Sequence, residues 1–309
     1  MLYNSGQKRG FYMYLMLVLY CVLNVGGTVL MKVFQKSTSA GLFYLIMYNI
    51  INGLFACAFF FVSAGFKISL NLPTVVYAVV YALVICINLS AQILAFSKVS
   101  VSVVTIVSMA GGILFPSIFG IIWFSEAITW RLVLSTVLII AASVLPFVSD
   151  KQEKAEKKSF SFASVLICLL MSVLAGVSTI LIKLYAVDKS VCDSTSMFFL
   201  TNVAIVAICF VALVIYMIKN REQSVKSIVC AFSPLQLLTI VSKTAVVNLA
   251  SIAQVKVLAE MSASTFSVLG SSICLVGTGV ASWLIFREKQ TKGTVLALLS
   301  AIAAIIVNP

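Results

Sequence analysis

The sequence predicts an all-α membrane protein in which ten transmembrane helices form two inverted five-helix repeats. Hydrophobic residues make up 62% of the 309 residues and charged residues only 10%, against about 25% charged residues in soluble domains. Apolar runs long enough to cross a hydrocarbon layer of about 30 Å follow one another along the chain. Because backbone groups in lipid must find partners within the protein, each run is expected to be a helix.

Ten apolar runs define the predicted spans. The first follows Lys8 and Arg9, as in a signal peptide, but it is longer than such a peptide requires and nine further runs come after it. The spans are placed at 10–34, 40–63, 73–97, 99–124, 129–149, 160–184, 195–218, 233–257, 262–285 and 292–308. The longest charged stretch, Asp150–Lys158, lies between the fifth and sixth spans. The predicted domains are therefore a first repeat at 1–149, a charged linker at 150–159 and a second repeat at 160–309.

The two halves of the sequence resemble each other. The segment GTVLMKVF at 27–34 corresponds to STILIKLY at 178–185, so Thr28 and Lys32 match Thr179 and Lys183 at the same spacing. Further pairs follow in the same order: Asn49 with Asn202, Pro73 with Pro234, Asn88 with Asn248, Ser100-Val-Ser102 with Ser262-Ala-Ser264, and Phe124-Ser-Glu126 with Phe286-Arg-Glu288. An odd number of spans in each half gives the halves opposite orientations, as in the inverted repeats of secondary transporters, whose substrate site lies near the midplane.

These motifs resemble the drug/metabolite transporter superfamily, EamA type. The small polar patch and lysine late in the first span (LNVGGTVLMK) recur in the sixth, and LAFSKVSVSVVTIVSMAGGILFPSIFGIIWFSEAIT resembles the family's helix junction, Ser-rich entry, broken helix and terminal Glu-x-x-Thr. VKVLAEMSASTFSVLGSSICLVGTGVASWLIFREKQT repeats that pattern in the second half. The resemblance covers the whole chain and implies a ten-helix transporter in the cell (plasma) membrane.

The sequence departs from the family pattern at two places. Ser125 and Arg287 stand where members often carry Gly before the terminal Glu. Tyr48 and Asn49 stand in the second span, where members often carry an Arg, so a substrate contact made by that Arg is not carried over.

Lys243 is the clearest candidate for substrate binding. It lies near the middle of the eighth span, where a charge costs about 2.5–3.5 kcal/mol on insertion scales. Helical spacing places Gln236, Thr239 and Gln254 close to the same line as Lys243, which predicts a polar stripe facing a water-filled cavity and binding an anionic group. The alternative is a lysine that snorkels or bonds carbonyls of a neighbouring helix.

Other polar residues within spans are weaker candidates. Lys183 shares a helix face with Thr179, and Lys32 shares one with Thr28, but both lysines lie near span ends, where snorkelling is the alternative. Buried asparagines often join helices by hydrogen bonds, although Asn88, one turn from Gln92, could face the cavity with it. The complete set of candidates for substrate binding is Lys243, Thr239, Gln236, Gln254, Asn24, Thr28, Lys32, Asn49, Asn88, Gln92, Thr179, Lys183, Asn202 and Asn248.

Glycines and a proline mark the fourth and ninth spans, which occupy corresponding places in the two halves. The residues concerned are Gly111, Gly112, Pro116 and Gly120 in one and Gly270, Gly277 and Gly279 in the other. Paired interrupted helices are expected beside the transport site or its gates. The alternative is close helix packing through small residues.

Several residue types are absent from the predicted spans, which excludes some functions. All nine acidic residues lie in loops or at span ends and there is no His, which disfavours a proton-coupled exporter of organic cations built on a membrane carboxylate. No GxxxxGK[ST] loop and no Ser/His/Asp set occurs, so we expect neither ATP-driven transport by this chain alone nor an enzyme. The eight cysteines form no CxxC, and no metal or cofactor is expected.

The sequence therefore predicts a secondary transporter of small metabolites, anionic or zwitterionic, which works by alternating access. Two alternatives stay open: a transporter of neutral or hydrophobic compounds, and a non-transporting membrane receptor or assembly protein. The net charge of +12 is spread over short loops, which favours membrane lipid over nucleic acid as a partner, and a homo-oligomer stays open.

The membrane orientation is open as well. More Lys and Arg residues lie on the side opposite the termini, which by the positive-inside rule places the termini outside. The family resemblance implies that the termini are inside.

Overall fold

The computed structural model describes residues 3–36, 41–98, 101–149, 162–219, 232–287 and 292–307. The linker at 150–159 and Glu288 lie outside these residues. The described chain is all-helical. Its helices are α1 Tyr3–Lys36, α2 Leu42–Ser63, α3 Leu72–Lys98, α4 Val101–Phe124, α5 Trp130–Ser149, α6 Phe162–Val187, α7 Ser194–Lys219, α8 Pro234–Glu260, α9 Ala263–Phe286 and α10 Lys292–Val307.

Seven of these helices, α1–α3 and α6–α9, are long and apolar enough to cross a membrane. The prediction of an all-α protein is therefore confirmed. Several helices of this length and hydrophobicity are typical of an integral membrane protein. The apolar stretches found in the described parts of the other three helices are shorter: Gly111–Phe124, Trp130–Ala142 and Lys292–Val307. The predicted spans agree with the helices to within a few residues, apart from α1, which begins at Tyr3 and not near residue 10.

The prediction of interrupted helices in the fourth and ninth spans is wrong. Helix α4 continues through Pro116, and α9 continues through Gly270 and its other glycines. A proline removes only its own N–H from the hydrogen-bond ladder, and membrane helices tolerate this where neighbouring groups compensate.

The glycines of α4 serve close packing instead. A Cβ at Gly111 would overlap the backbone carbonyl of Ser172 in α6, and a Cβ at Gly176 would lie 2.8 Å from the carbonyl oxygen of Gly111. The two helices therefore touch at the level of their backbones, which is the packing alternative considered for these small residues.

Helix pairs from the two halves of the chain build the centre of the protein. Helix α1 packs along α8 and α3 along α6, while α4 packs on α6 and α9 on α1. Three further pairs are α2 with α7, α4 with α9 and α5 with α10. If each helix of the first half is exchanged for the corresponding helix of the second half, the α1–α8 contact becomes the α3–α6 contact, and the α4–α6 contact becomes the α1–α9 contact. The last three pairs are unchanged by this exchange.

Hydrogen bonds between loops establish which helix ends lie together. Asn71, before α3, donates to the carbonyl of Ser190, before α7, at 2.6 Å, and Glu126, after α4, bonds the start of α9. Successive helices thus alternate in direction. We call the end of the bundle where α1 begins the N-terminal side and the other end the opposite side.

The turn between α8 and α9 is held by groups from two other elements. The Lys183 ammonium donates to the carbonyls of Leu258 at 2.8 Å and Met261 at 2.9 Å. The Glu126 carboxylate accepts from the backbone N–H groups of Ala263 at 2.7 Å and Ser264 at 3.1 Å. A cation therefore lies at the negative end of α8 and an anion at the positive end of α9, as the helix dipoles favour.

Candidate substrate cavity

A cavity of about 290 Å³ lies at the centre of the bundle, lined by residues of α1–α4 and α6–α9. Helices α5 and α10, which pack on each other, contribute none of these residues. Its polar lining residues other than tyrosine and cysteine are Asn24, Thr28, Asn52, Asn88, Gln92, Ser108, Ser178, Thr179, Thr201, Asn202, Lys243, Thr244, Asn248, Ser251, Gln254, Ser267 and Ser271. Lys243 is the only charged residue among the described residues of this lining.

Lys243 lies in the first half of α8, well inside the bundle. Its side chain is only 5% exposed, and its Nζ lies 5.6 Å from the centroid of the Tyr48 ring. This geometry fits a cation–π contact. Within the described part of the chain the ammonium has neither a hydrogen-bond acceptor nor a carboxylate partner, so its N–H groups stay available to a ligand in the cavity.

The position of Lys243 is fixed by its neighbour in the chain. The Thr244 hydroxyl donates to Asn52 Oδ1 of α2 at 2.8 Å. The same hydroxyl lies 2.7 Å from the carbonyl oxygen of Ile240 within α8, so its one proton is shared between two acceptors. The contact with Asn52 joins α8 to α2 beside the lysine.

Three further polar atoms of the cavity wall lack a partner in the described structure. Asn88 Oδ1, Thr201 Oγ1 and Asn248 Nδ2 are buried without a hydrogen bond. Leaving a buried polar atom unpaired costs about 1–3 kcal/mol, and most such atoms in proteins are paired. All three residues line the cavity, so its wall contains hydrogen-bonding groups that the described protein atoms do not satisfy.

Aromatic rings form the end of the cavity towards the N-terminal side. The rings are those of Tyr20, Phe60, Tyr81, Phe198 and Phe266. Phe60 and Phe198 stack with their centroids 5.2 Å apart, and Tyr20 lies 5.2 Å from Phe266. Phe60, Tyr81, Phe198 and Phe266 belong to the half of their helix that is nearer the N-terminal side, and Tyr20 lies at the midpoint of α1. The five rings therefore lie nearer the N-terminal side than Lys243, and they share that part of the wall with polar side chains, among them Gln254 and Ser267.

Most of the sequence-predicted candidates lie on this wall. The structure places nine of them there: Lys243, Gln254, Asn24, Thr28, Asn88, Gln92, Thr179, Asn202 and Asn248. They come from α1, α3, α6, α7 and α8, which the fold brings together around one space.

The predicted stripe on α8 is not a single cavity face, however. Gln236 caps the start of α8, where its Oε1 accepts from the backbone N–H of Ser233 at 2.8 Å. The Thr239 hydroxyl donates to the carbonyl of Leu235 at 2.8 Å. Neither residue belongs to the lining; both have local hydrogen-bond partners on their own helix.

Three more candidates lie away from the cavity. Asn49 donates to the carbonyl of Leu45 at 2.9 Å and to the Ser90 hydroxyl at 3.1 Å, which joins α2 to α3. Lys32 donates to the carbonyl of Phe96 at 2.9 Å, and Lys183 donates to the end of α8. For these two lysines the structure agrees with the alternative reading, a lysine that bonds carbonyls of a neighbouring helix.

Sequence reasoning missed Asn52, Thr201, Thr244 and the aromatic end of the cavity. A signal for three of these residues was present, because Thr201 and Thr244 adjoin the candidates Asn202 and Lys243, and Asn52 follows Asn49 by about one helical turn. The rings offered no comparable signal, since aromatic residues in an apolar span do not stand out from the residues around them.

No protein-family model and no curated protein matches this chain. By fold, 28 chains of solved structures match it. One of them, described only as the crystal structure of a protein, has a TM-score of 0.63 and 13% sequence identity, and the match covers 94% of this chain and 97% of that chain. At this identity the likeness concerns the fold alone, and it extends over nearly the whole helical arrangement.

Proposed function

We propose that this chain is a secondary transporter of the EamA type that carries a small anionic or zwitterionic metabolite across the cell membrane by alternating access. The observation on which this depends is the buried ammonium of Lys243, which faces a central cavity with no acidic residue in its described lining. A lysine kept at such a place without a protein partner is costly, and an anion bound beside it offsets that cost.

The chemistry of the wall fits this class of substrate. Lys243 can donate up to three hydrogen bonds, which suits a carboxylate. The amides of Asn24 and Gln92, which also line the cavity, can accept from an ammonium or hydroxyl group, which extends the range to zwitterions. An organic cation, by contrast, would meet a like charge at Lys243.

The arrangement of helices supports two inverted five-helix repeats. The main contacts between helices have corresponding contacts when the two halves are exchanged. Two lysines correspond in the same way. Lys32 of α1 bonds the carbonyl of Phe96 near the end of α3, as Lys183 of α6 bonds that of Leu258 near the end of α8. The two bonds lie on opposite sides of the bundle, as inversion requires. Rocking of one repeat against the other around the cavity would expose it to each side in turn.

An exchange assay with purified protein in liposomes tests the proposal. A labelled metabolite library identifies the accepted substrates, and Lys243→Met is compared with the parent. We expect exchange of a carboxylated substrate to fall about 30-fold or more, because a charge-assisted contact of about 2–3 kcal/mol is lost. Lys243→Arg should retain part of the activity, since the charge stays but its shape changes. Lys256→Met, which removes an exposed lysine of the same helix, is the matched control.

Two outcomes would contradict the proposal. If Lys243→Met exchanged every accepted substrate as fast as the parent, Lys243 would be structural and the anionic class would lose its support. Exchange confined to uncharged compounds would favour a transporter of neutral or hydrophobic substrates instead.

A further inference from the structure

The five rings and Lys243 lie at different depths of the cavity, and this separation narrows the substrate class. We infer that the substrate is an organic anion with an aromatic or bulky apolar group, bound with its charged group at Lys243 and its apolar group among the five rings at the N-terminal side. This inference rests on the proposed function and adds to it both a chemical class and an orientation in the site.

The rings provide a receptor for the apolar group. They come from five helices, α1, α2, α3, α7 and α9, and converge on one end of the cavity. Phe198 is in contact range of two others, with centroids 5.2 Å from Phe60 and 6.2 Å from Tyr81. Aromatic pairs are favourable at centroid distances of about 4.5–7 Å, so a further ring on the cavity face extends a set of contacts that is already in place.

The dimensions of the cavity suit a molecule with two distinct ends. Tyr20, Asn24 and Thr28 line it from one face of α1, and eight residues of helix rise about 12 Å. A volume near 290 Å³ corresponds to about ten waters at roughly 30 Å³ each. This leaves room for a carboxylate joined through a short chain to one ring.

The charged group of such a molecule contacts only Lys243, and its apolar group contacts only the rings. A small anion without a ring would engage Lys243 but make no contact with the rings. A neutral ring compound would bury its ring but leave the ammonium without a counter-charge. The full gain in affinity requires both groups in one molecule.

Binding of four probes to the purified parent chain in detergent tests the inference: phenylacetate, acetate, 2-phenylethanol and 2-phenylethylamine. Titration calorimetry gives the affinity of each. We expect phenylacetate to bind at least about tenfold more tightly than acetate or 2-phenylethanol, because burial of a ring and a charge contact each contribute on that scale. The cation 2-phenylethylamine should bind most weakly.

Variants at the two ends separate the contributions. Phe198→Leu should weaken phenylacetate about five- to tenfold and leave acetate unchanged, whereas Lys243→Met should weaken both anions and leave 2-phenylethanol unchanged. Phe119→Leu is the control, since that ring stacks on Trp123 within α4 and does not belong to the cavity lining. If Phe198→Leu fails to fold, Tyr20→Leu replaces a ring that is only partly buried.

The outcomes distinguish this inference from the proposed function. If acetate bound as tightly as phenylacetate and both depended on Lys243, the ring site would be excluded while the anion transporter would stand. If 2-phenylethanol bound as tightly as phenylacetate in both the parent and Lys243→Met, the anionic class itself would be excluded. Binding of none of the four probes at millimolar concentration would overturn the inference.

Discussion

Lys183 and Lys243 are both almost completely buried in the helical bundle, and their surroundings differ. Lys183 is 7% exposed and Lys243 5% exposed. Lys183 donates to two backbone carbonyls and lies 5.7 Å from the centroid of the Phe124 ring. Lys243 has a ring at a similar distance, that of Tyr48, but no carbonyl partner in the described structure. The depth of a charge in the membrane therefore does not reveal its role, whereas its hydrogen-bond partners do.

The partners of Lys183 complete a helix end. The last carbonyls of α8 have no intrahelical donors, and the ammonium supplies them. At Lys243 the helix is continuous and its carbonyls are already bonded, so the ammonium serves no such purpose. The first lysine thus stabilises the fold, and the second is left for a ligand. The predictions below test this contrast by the free energy of unfolding, measured in detergent.

Lys183→Met should have the largest effect. It removes a charged donor and leaves the carbonyls of Leu258 and Met261 buried without it, so we expect the free energy of unfolding to fall by about 3 kcal/mol. Denaturant-induced unfolding provides the measurement. Lys189→Met, at an exposed position in the following loop, should change little. An unchanged stability for Lys183→Met would remove the structural half of the comparison.

Glu126→Gln should have an intermediate effect. The amide keeps one acceptor oxygen for the start of α9 but loses the negative charge, so we expect a loss of about 1–2 kcal/mol. Glu260→Gln, at an exposed position, is the control. Substrate-driven proton movement in liposomes should be unchanged, because this carboxylate is bound to backbone N–H groups. Loss of proton coupling in a folded, substrate-binding Glu126→Gln protein would show that Glu126 carries a proton.

Lys243→Met should change the free energy of unfolding by less than about 1 kcal/mol, with either sign. It removes a cation–π contact worth about 2 kcal/mol at a buried site but also removes the cost of burying a charge, which offsets this loss. Its effect on transport should therefore greatly exceed its effect on stability. A loss as large as that of Lys183→Met would mean that both lysines are structural.

The smallest effect is expected at Asp193, which caps the start of α7 outside the membrane-spanning segments. Burial raises the pKa of its carboxyl, but hydrogen bonds from Thr195 and Ser196 lower it more, so the pKa lies below its usual value. A carboxyl with a lowered pKa stabilises the fold above its unfolded-state pKa of about 3.9, and this stabilisation is lost as the pH falls through the folded-state value.

Asp193→Asn should accordingly cost about 0.3 kcal/mol near neutral pH, at the low end for a charge at a helix start because the side chain is exposed. The difference from the parent should begin to shrink near pH 4 and disappear once the pH is below the folded-state pKa. Unfolding curves over this pH range provide the measurement, and a difference that grew at acidic pH would contradict the assigned direction of the pKa shift.

Hydropathy predicted the helices well because an apolar run in lipid must satisfy its backbone hydrogen bonds within itself, which a helix does. The same reasoning failed at Pro116, where the sequence suggested a break but the helix continues. The roles of Lys32 and Lys183 could not be predicted, since their carbonyl partners lie 64 to 78 residues away along the chain. Such contacts depend on which helices pack together, and hydropathy carries no information about this.

For the cavity, the cost of a mid-span charge identified Lys243 correctly as a wall residue. Helical spacing then misassigned Gln236 and Thr239, because both satisfy their hydrogen bonds locally on α8. Spacing reports which residues share a face but not whether a side chain reaches the cavity or returns to its own backbone. The five rings were missed for a related reason, since packing alone distinguishes an aromatic wall from an aromatic core.

The contacts of the turn between α8 and α9 suggest that the chain can be cut there without loss of the fold. Its two residues are Met261, whose carbonyl accepts from Lys183, and Ser262, which directly precedes the Ala263 N–H that donates to Glu126. A break of the peptide bond between them would create a carboxylate beside an ammonium and an amino group near a carboxylate, so each new charge would find its opposite already in place. Fragments 1–261 and 262–309 produced together should therefore reassemble into the parent fold.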